Sequence, residues 1–378
     1  MTETVHVVGV GMTRFANHGP GVGIKLGAEA SVAALNDAGI TFAEVDMLIA
    51  GSANPHSPRG VFLARELGLT GKPVQHLSNA SATGLAAMHE AIATLEAGRA
   101  EVVLVCGLDS PETAVSSQDV IAGEGHHPPA VSFALWARER MATYGTTEKH
   151  LAMVAAKNWN YARTNPFAAR QAAEPVTVDR VLGSRMVAEP FTSMMCTPWG
   201  DGAAAAVLCT ESALRRFDAS RAVRIAASAF QSDRFGPRQV LEGAIVGPPE
   251  LTRSTVAEAL KQAQLGVADI DIVQLHDAFA IEEILYYELL GFCAPGEAEG
   301  LLEQGAFGPN SRKEFGLPEV STDGGLIGRG HPGGPTGLAQ IWETVRRLRQ
   351  PGGDRVGLCH LLGGGSICIA QILTRDAA

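Results

Sequence analysis

Three side chains in this sequence are of the types that carry out acyl and carbon–carbon bond chemistry. Ser81 lies in Ser-Ala-Thr-Gly, just before a long run with helical apolar periodicity. His331 lies in Gly-His-Pro-Gly, and His276 follows an apolar strand. A serine hydroxyl becomes a nucleophile when a neighbouring base takes its proton, and histidine is the commonest such base. A serine–histidine acyl-transfer pair is therefore one interpretation, and a serine that only caps a helix or lines a pocket is the simpler one.

The neighbours of the two histidines give each of them a functional and a structural interpretation. Glycines around His331 let the backbone approach a ligand closely, whereas the structural alternative is a histidine that caps the helix at 337–348. His276 is a candidate base or a holder of a water molecule. Asp277 is a candidate for fixing the tautomer of His276, although adjacent strand residues point to opposite faces.

The elements that must position these residues alternate between strand and helix, and the pattern occurs twice. "VHVVGVG", "VDMLIAGSA" and "EVVLVCGLD" predict strands, with amphipathic helices between them. "TGLAAMHEAIATL" from Thr83 resembles "TGLAQIWETVRRL" from Thr336, and a second pair of segments repeats at a similar spacing. The sequence predicts two duplicated βαβαβ halves in a layered α-β-α-β-α sandwich. Their central helices would point positive N-terminal ends into one pocket, where an oxyanion is stabilised.

The repeats also divide the chain. The first half comprises residues 1–110 and 200–220, the second comprises 221–378, and 111–199 is predicted to be an insertion or lid on the first half. His126 and His127 lie in this insertion and are candidates for contacting substrate, although a solvated loop pair fits equally well.

Composition excludes several classes of function. A net charge of -10 argues against nucleic-acid binding, which depends on basic surfaces. The six cysteines form no Cys-x-x-Cys pair, so no metal site is expected, and no apolar run is long enough for a membrane span. A soluble protein of the reducing cytoplasm is the default expectation.

Four motifs give the sequence a family resemblance. "STDGGLIGRGHPGGPTGLAQ", "HDAFA", "WGDGAAAAVL" and "LLGGGSICIAQIL" resemble conserved blocks of the thiolases, and His-Asp-Ala-Phe is similar to the sterol-carrier-protein type. Thiolases make or break the carbon–carbon bond of 3-oxoacyl-CoA thioesters, so coenzyme A is expected as part of the substrate, with no covalently bound cofactor. The resemblance implies a homodimer. It also implies that His331 binds the thioester oxygen, with Gly333 and Asp277 near the substrate.

The resemblance also shows what is missing. Its two catalytic cysteines correspond to Ser81 and Leu361 here, so both thiols are absent. The resemblance also implies a second oxyanion site that needs no thiol, made by the backbone N–H of Ser81 and the glycine loop of Gly363 and Gly364. An enolate-stabilising pocket without a nucleophile suits retro-aldol cleavage of a 3-hydroxyacyl-CoA, as in thiolase-like aldolases that work with a small zinc-ribbon/OB-fold partner. Ser81-dependent acyl transfer and a non-catalytic subunit that binds acyl-CoA or lipid are the alternatives.

Overall fold

In the part of the chain that the structure describes, each half contributes five strands to one mixed sheet. The computed structural model describes residues 3–53, 59–110, 129–234, 248–364 and 367–375. The strands of the first half are β1 (Val5–Met12), β2 (Met47–Gly51), β3 (Val74–Leu77), β4 (Val102–Asp109) and β7 (Gly202–Thr210), with a small separate hairpin of β5 (Met186–Ala188) and β6 (Phe191–Thr192). Those of the second half are β8 (Val223–Ser232), β9 (Ile272–Gln274), β10 (Glu319–Val320), β11 (Val356–Gly363) and β12 (Ile367–Thr374).

The two halves have the same strand order and directions, which confirms the predicted duplication. The order is β3-β2-β4-β7-β1 in the first half and β10-β9-β11-β12-β8 in the second. In each half the first two pairings are parallel and the last two are antiparallel. β1 and β8 join the halves through two residue pairs, His6 with Arg224 and Val7 with Val223.

One connection differs in length between the two halves. In the second half only three residues separate β11 from the antiparallel β12 with which it pairs. In the first half the equivalent return, from β4 to β7, takes the chain from Asp109 to Gly202. The extra chain between β4 and β7 therefore takes the place of a three-residue connection.

Helices cover both faces of the sheet and form the layers that the sequence predicts. They are α1 (Gly23–Ala38), α2 (Arg59–Leu67), α3 (Thr83–Glu96), α4 (Pro129–Tyr144), α5 (Glu148–Thr164), α6 (Val178–Leu182), α7 (Pro249–Ala263), α8 (Ala280–Leu289), α9 (Ala298–Glu303), α10 (Ser311–Phe315), α11 (Gly325–Arg329) and α12 (Thr336–Leu348), with 3-10 turns at Phe42–Glu44, Ser193–Met195, Leu214–Arg216, Ala219–Arg221 and Val267–Asp269. Within the described ranges, every helix is too short or too polar to cross a bilayer.

Alternating side chains on the strands reach different layers. On β4, Val103 and Val105 join the central core around α3 and α12, whereas Leu104 joins an outer core beneath α1. On β12, Ile369 faces the same central core, whereas Ala370 faces a second outer core beneath α7. Because successive side chains of a strand point to opposite faces, both halves of the sheet are buried on two sides. The predicted fold class is confirmed.

The two central helices begin against each other. A Cβ atom on Gly84 would lie 2.8 Å from the carbonyl oxygen of Gly334, and one on Gly337 would lie 2.6 Å from the backbone nitrogen of Leu85. Contacts this short leave no room for a side chain at either glycine. A glycine at each helix start therefore allows the backbones of the two helices to come into direct contact.

The extra chain packs on the second half, although it belongs to the first half in sequence. Phe133 of α4 stacks on Phe279, with ring centroids 4.3 Å apart, and Leu151 of α5 belongs to the outer core of the second half. A Cβ atom on Gly328 would lie 2.8 Å from Ala162 of α5. α5 thus supports α11, which leads directly into His331.

Candidate active site

Ser81 lies in the tight turn between β3 and α3, and its side chain reaches His331. Ser81 Oγ and His331 Nε2 are 3.0 Å apart, which is hydrogen-bond distance. Ala80, just before, has a φ of 46°, a left-handed conformation that costs a non-glycine residue roughly 1–2 kcal/mol. The Thr83 hydroxyl closes the turn, because it accepts the N–H of Asn79 and donates to the Ala80 carbonyl. α3 begins only at Thr83, so Ser81 is not the helix cap that its sequence context favours.

His331 is held between the two helix starts as a neutral imidazole. Its Nδ1 lies 2.8 Å from the hydroxyl oxygen of Thr336, the first residue of α12. Burial, the charge of a protonated His276 and the guanidinium of Arg329 hold the pKa of His331 well below its usual value. If Nδ1–H donates to Thr336, Nε2 is a base for the Ser81 hydroxyl. If the Thr336 hydroxyl donates instead, Nε2–H is a donor for a substrate oxyanion.

His276 lies beside His331 but has a different kind of partner. The two ring centroids are 5.3 Å apart and the ring planes are nearly perpendicular. His276 Nδ1 lies 2.8 Å from Oε1 of Glu282, a fully buried carboxylate in the first turns of α8. Among the described residues, Nε2 of His276 has no hydrogen-bond partner in the protein. The His276 ring makes an edge contact with the ring of His331.

Asp277 is buried on the other side of the chain from its neighbour. One carboxylate oxygen accepts the backbone N–H of Leu326 at 2.8 Å, and the other accepts the side-chain amide of Asn158. Burial and the negative charge of Glu283 raise the pKa of Asp277 well above its usual value. Asp277 therefore anchors the start of α11, and Glu282 takes the role of fixing His276 that the sequence had suggested for Asp277.

The loops predicted to provide backbone donors do converge near Ser81. A Cβ atom on Gly363 would lie 2.5 Å from the carbonyl oxygen of Asn79, so the end of β11 touches the Ser81 turn. Gly364 follows with a φ of 56° and is exposed. Leu361, in contrast, is fully buried in the central core, where its side chain lies against Gly337.

Gly333 lies two residues after His331, in a loop that Asp109 fixes. A Cβ atom on Gly333 would lie 2.8 Å from that of Ala53, and its φ of 90° favours glycine. The next residue, Gly334, donates its N–H to the Asp109 carboxylate at 2.6 Å. Asp109 ends β4 and also accepts the N–H of Ala53, which follows β2. One buried carboxylate therefore joins the ends of two strands to the loop that carries His331.

Among the described residues, no cysteine is hydrogen-bonded to Ser81, His276 or His331. Cys106, Cys209 and Cys359 are fully buried on strands, Cys196 and Cys368 are also buried, and Cys293 is partly buried. Burial raises the pKa of each of these six thiols to about 12. Within the described ranges, no group of histidine, cysteine and acidic side chains is arranged to hold a metal ion.

The structure brings together most, but not all, of the predicted site residues. Ser81, His331 and His276 form one cluster, with the Gly333 and Gly363 loops beside it, whereas His126 and His127 lie outside the described residues. Glu282 was not found from the sequence. One signal in the sequence was available: Glu282 lies six residues after His276, and helix α8 begins between them, which allows the two side chains to meet.

The sequence of this chain matches known protein families in both halves. Residues 248–370 match the family described as "Thiolase C-terminal domain-like", and 21–128 match "Beta-ketoacyl synthase, N-terminal domain". The acetyl-CoA acetyltransferase of Methanothermobacter thermautotrophicus is 33% identical over 98% of this chain and 99% of its own. The chain belongs to the thiolase superfamily. The family predicted from its motifs is confirmed.

Other members of the superfamily show the range of related activities. Benzoylsuccinyl-CoA thiolase subunit BbsB of Thauera aromatica is 31% identical over 97% of this chain and 96% of its own, and human sterol carrier protein 2 is 32% identical over 97% and 71%. Among solved structures, the "Ltp2-ChsH2(DUF35) aldolase" matches 100% of this chain and 99% of its own, with 26% identity and a TM-score of 0.84. Human mitochondrial 3-ketoacyl-CoA thiolase, at 20% identity, TM-score 0.72 and 99% coverage of both chains, shares the fold.

Proposed function

We propose that this thiolase-superfamily protein is an enzyme that cleaves the carbon–carbon bond next to a CoA thioester by a retro-aldol reaction. The observation that supports this most is that the Ser81 hydroxyl, His331 Nε2 and the His276 ring lie together in one cluster. A pocket with hydrogen-bond donors and a neutral base, but no thiol, stabilises an enolate without forming an acyl-enzyme.

The proposed reaction needs two groups from the protein. One histidine nitrogen accepts the proton of the β-hydroxyl group of a 3-hydroxyacyl-CoA. The Cα–Cβ bond then breaks, Cβ becomes the carbonyl carbon of an aldehyde or ketone, and the electron pair moves to the thioester as an enolate. The protonated histidine returns the proton to Cα, which gives a shortened acyl-CoA. His331 is the proposed donor to the enolate oxygen, and such a donor contributes roughly 3–4 kcal/mol to lowering the barrier.

The absence of a thiol nucleophile is part of the proposal. Cysteine-dependent thiolysis requires a reactive thiolate. Ser81 occupies the turn where the resemblance predicts the acylated cysteine, and Leu361 is packed in the core. We propose that both catalytic cysteines of the family have been lost here.

The proposed substrate and assembly follow the superfamily. Coenzyme A enters as part of the substrate, and no other cofactor is proposed. The similarity to the Ltp2-ChsH2(DUF35) aldolase supports a small zinc-ribbon/OB-fold partner, because that structure is a complex of a similar chain. A homodimer and a cytoplasmic location remain predictions.

Acyl transfer through Ser81 is the second candidate, and one contact favours it. The 3.0 Å contact between Ser81 Oγ and His331 Nε2 has the geometry of an activated serine. In this case the acyl group would be carried covalently by Ser81 and then pass to an acceptor.

One experiment separates these candidates. The purified protein, alone and co-expressed with a zinc-ribbon/OB-fold protein, is incubated with 3-hydroxyacyl-CoA and 3-oxoacyl-CoA substrates. Release of an aldehyde or ketone together with a shortened acyl-CoA, lost in His331→Ala, supports the lyase. An acyl adduct on Ser81 in the intact mass overturns it in favour of acyl transfer, and acyl-CoA binding without turnover overturns both in favour of a non-catalytic subunit.

A further inference from the structure

We infer that Glu282 is a positioning residue that makes His276 the group that accepts the proton of the substrate's β-hydroxyl. The inference rests on the proposed retro-aldol function, and it adds which of the two histidines is the base and why. The partner lies on helix α8, which begins after His276, so the two side chains meet across the start of that helix.

Glu282 is surrounded by hydrogen-bond donors although it is completely buried. Its Oε1 lies 2.8 Å from His276 Nδ1 and 3.3 Å from the Tyr286 hydroxyl, and its Oε2 accepts the backbone N–H of Phe279 at 3.2 Å. A backbone N–H can only donate, so the carboxylate is needed as an acceptor at that oxygen. Three donors satisfy an ionised carboxylate that would otherwise be costly to bury.

This arrangement fixes which nitrogen of His276 carries the proton. Glu282 already accepts the Phe279 N–H and the Tyr286 hydroxyl, so it acts as an acceptor towards His276 as well, and Nδ1 of His276 is the donor in this contact. Nε2 of the neutral ring then carries a lone pair and no hydrogen. Since Nδ1 is held by Glu282, the lone pair on Nε2 is the group left to act in the pocket.

His331 has no comparable support for a positive charge. Its Nδ1 meets the neutral hydroxyl of Thr336, while burial, His276 and the guanidinium of Arg329 all disfavour its protonation. With ring centroids only 5.3 Å apart, two imidazolium ions would repel each other, so one ring takes the proton at a time. Glu282 offsets the positive charge on His276 and leaves His331 as the neutral donor to the thioester oxygen.

With His276 as the base and His331 as the neutral donor, the site favours one class of substrate. A base beside the oxyanion site is useful when the substrate has a proton to give at Cβ, as a 3-hydroxyacyl thioester has. A 3-oxoacyl thioester has no hydroxyl group there, and its cleavage requires attack by a nucleophile instead. The pairing of His276 with Glu282 therefore favours 3-hydroxyacyl over 3-oxoacyl substrates.

Glu282→Gln tests the inference in the full-length protein. The amide NH2 group would donate to His276 Nδ1 and reverse the tautomer, which leaves Nε2–H in the pocket. By analogy with the histidine of serine-protease triads, kcat for 3-hydroxyacyl-CoA cleavage should fall roughly 100- to 10,000-fold with KM nearly unchanged. Tyr287→Phe is the matched control, because it removes a buried tyrosine–glutamate hydrogen bond on the same helix that does not involve His276.

The tautomer is measured independently of activity by 15N NMR of histidine-labelled protein, with thermal melting as a check of folding. Wild-type His276 should show Nδ1–H, and folded Glu282→Gln protein should show Nε2–H. Wild-type kinetics in Glu282→Gln, or an unchanged tautomer, overturns the inference. If the wild type cleaves no 3-hydroxyacyl-CoA, the proposed function has failed, and a reversed tautomer in the variant would still support the positioning by Glu282.

Discussion

The Ser81 hydroxyl and Nε2 of His331 lie 3.0 Å apart, although 250 positions separate the two residues in the chain. Each residue belongs to a different half of the duplicated fold. Ser81 precedes α3, and His331 precedes α12, so the two starts of the central helices bring them together. The contact gives the retro-aldol and acyl-transfer proposals different expectations for substitutions at these two positions.

We expect His331→Ala and Ser81→Ala to affect carbon–carbon cleavage very differently. Loss of an oxyanion donor typically lowers kcat roughly 100- to 1,000-fold, so His331→Ala should nearly abolish cleavage. Ser81→Ala removes one hydrogen bond of about 1–1.5 kcal/mol and should cost no more than about tenfold. Steady-state assays with one 3-hydroxyacyl-CoA measure both. Complete inactivity of folded Ser81→Ala protein would instead indicate a covalent role for the serine.

Thiol reagents should leave the activity unchanged. Burial raises the pKa of all six thiols to about 12, so at pH 7.5 they are protonated and react slowly with iodoacetamide. Activity and intact mass are followed during incubation with the reagent, with a cysteine-dependent thiolase treated in parallel. Rapid inactivation that tracks alkylation of one cysteine would show that a thiol takes part after all.

Gly337→Ala should destabilise the fold, because the new Cβ atom would meet the backbone nitrogen of Leu85 at 2.6 Å. Overpacking of this kind costs typically about 1–3 kcal/mol. Gly300→Ala is the matched control: it also lies in a helix, its Cβ atom would meet nothing within 4 Å, and alanine's helix propensity should add about 0.8–1 kcal/mol of stability. Urea unfolding measures both variants. Equal stabilisation by the two substitutions would contradict the close contact between the helix starts.

His360 should make the protein less stable in mild acid. Burial, and then the charge of a protonated His276, lower the pKa of His360 to about 3, whereas an unfolded histidine has a pKa near 6.5. Between these values the unfolded chain binds the extra proton, so the free energy of unfolding falls as pH decreases. The contribution of His360 is about 1.4 kcal/mol per pH unit at most.

The pH dependence is measured by urea unfolding of the wild type and His360→Gln between pH 7 and pH 4.5. The variant lacks this titrating ring and should show a shallower loss of stability than the wild type. His331 also has a lowered pKa and contributes in the same direction, so some slope should remain in the variant. Identical slopes for the two proteins would exclude His360 as a source of acid sensitivity.

Sequence motifs correctly predicted the family, the duplicated fold and the approach of the two helix starts. Thr83-Gly84 and Thr336-Gly337 open equivalent helices of the two repeated halves, and packing of the halves by pseudo-twofold symmetry predicts that these helix starts face each other. The two Thr-Gly pairs are equivalent in backbone position, but their threonine side chains have different partners. The Thr83 hydroxyl closes its own turn, whereas that of Thr336 contacts His331. Such differences depend on which neighbour each hydroxyl meets in the folded molecule.

Two features could not be predicted from the sequence, because each depends on which distant segment the residues meet in the folded chain. The chain between β4 and β7 packs against α8 and α11 of the other half, and nothing local in its sequence specifies that surface. Asp277 was a candidate for fixing His276, but it follows the end of β9 and binds the start of α11, which only the folded chain brings to it.

The amino-acid sequence by itself determined the superfamily, the layered α/β architecture and three of the side chains in the pocket, because these depend on local periodicity and on short motifs of small residues. Only the tertiary structure decided that Glu282 holds His276 and that a hydroxyl group holds His331. Hydrogen bonds between distant segments are specified by the packing of helices onto the sheet, and that packing is a property of the whole chain.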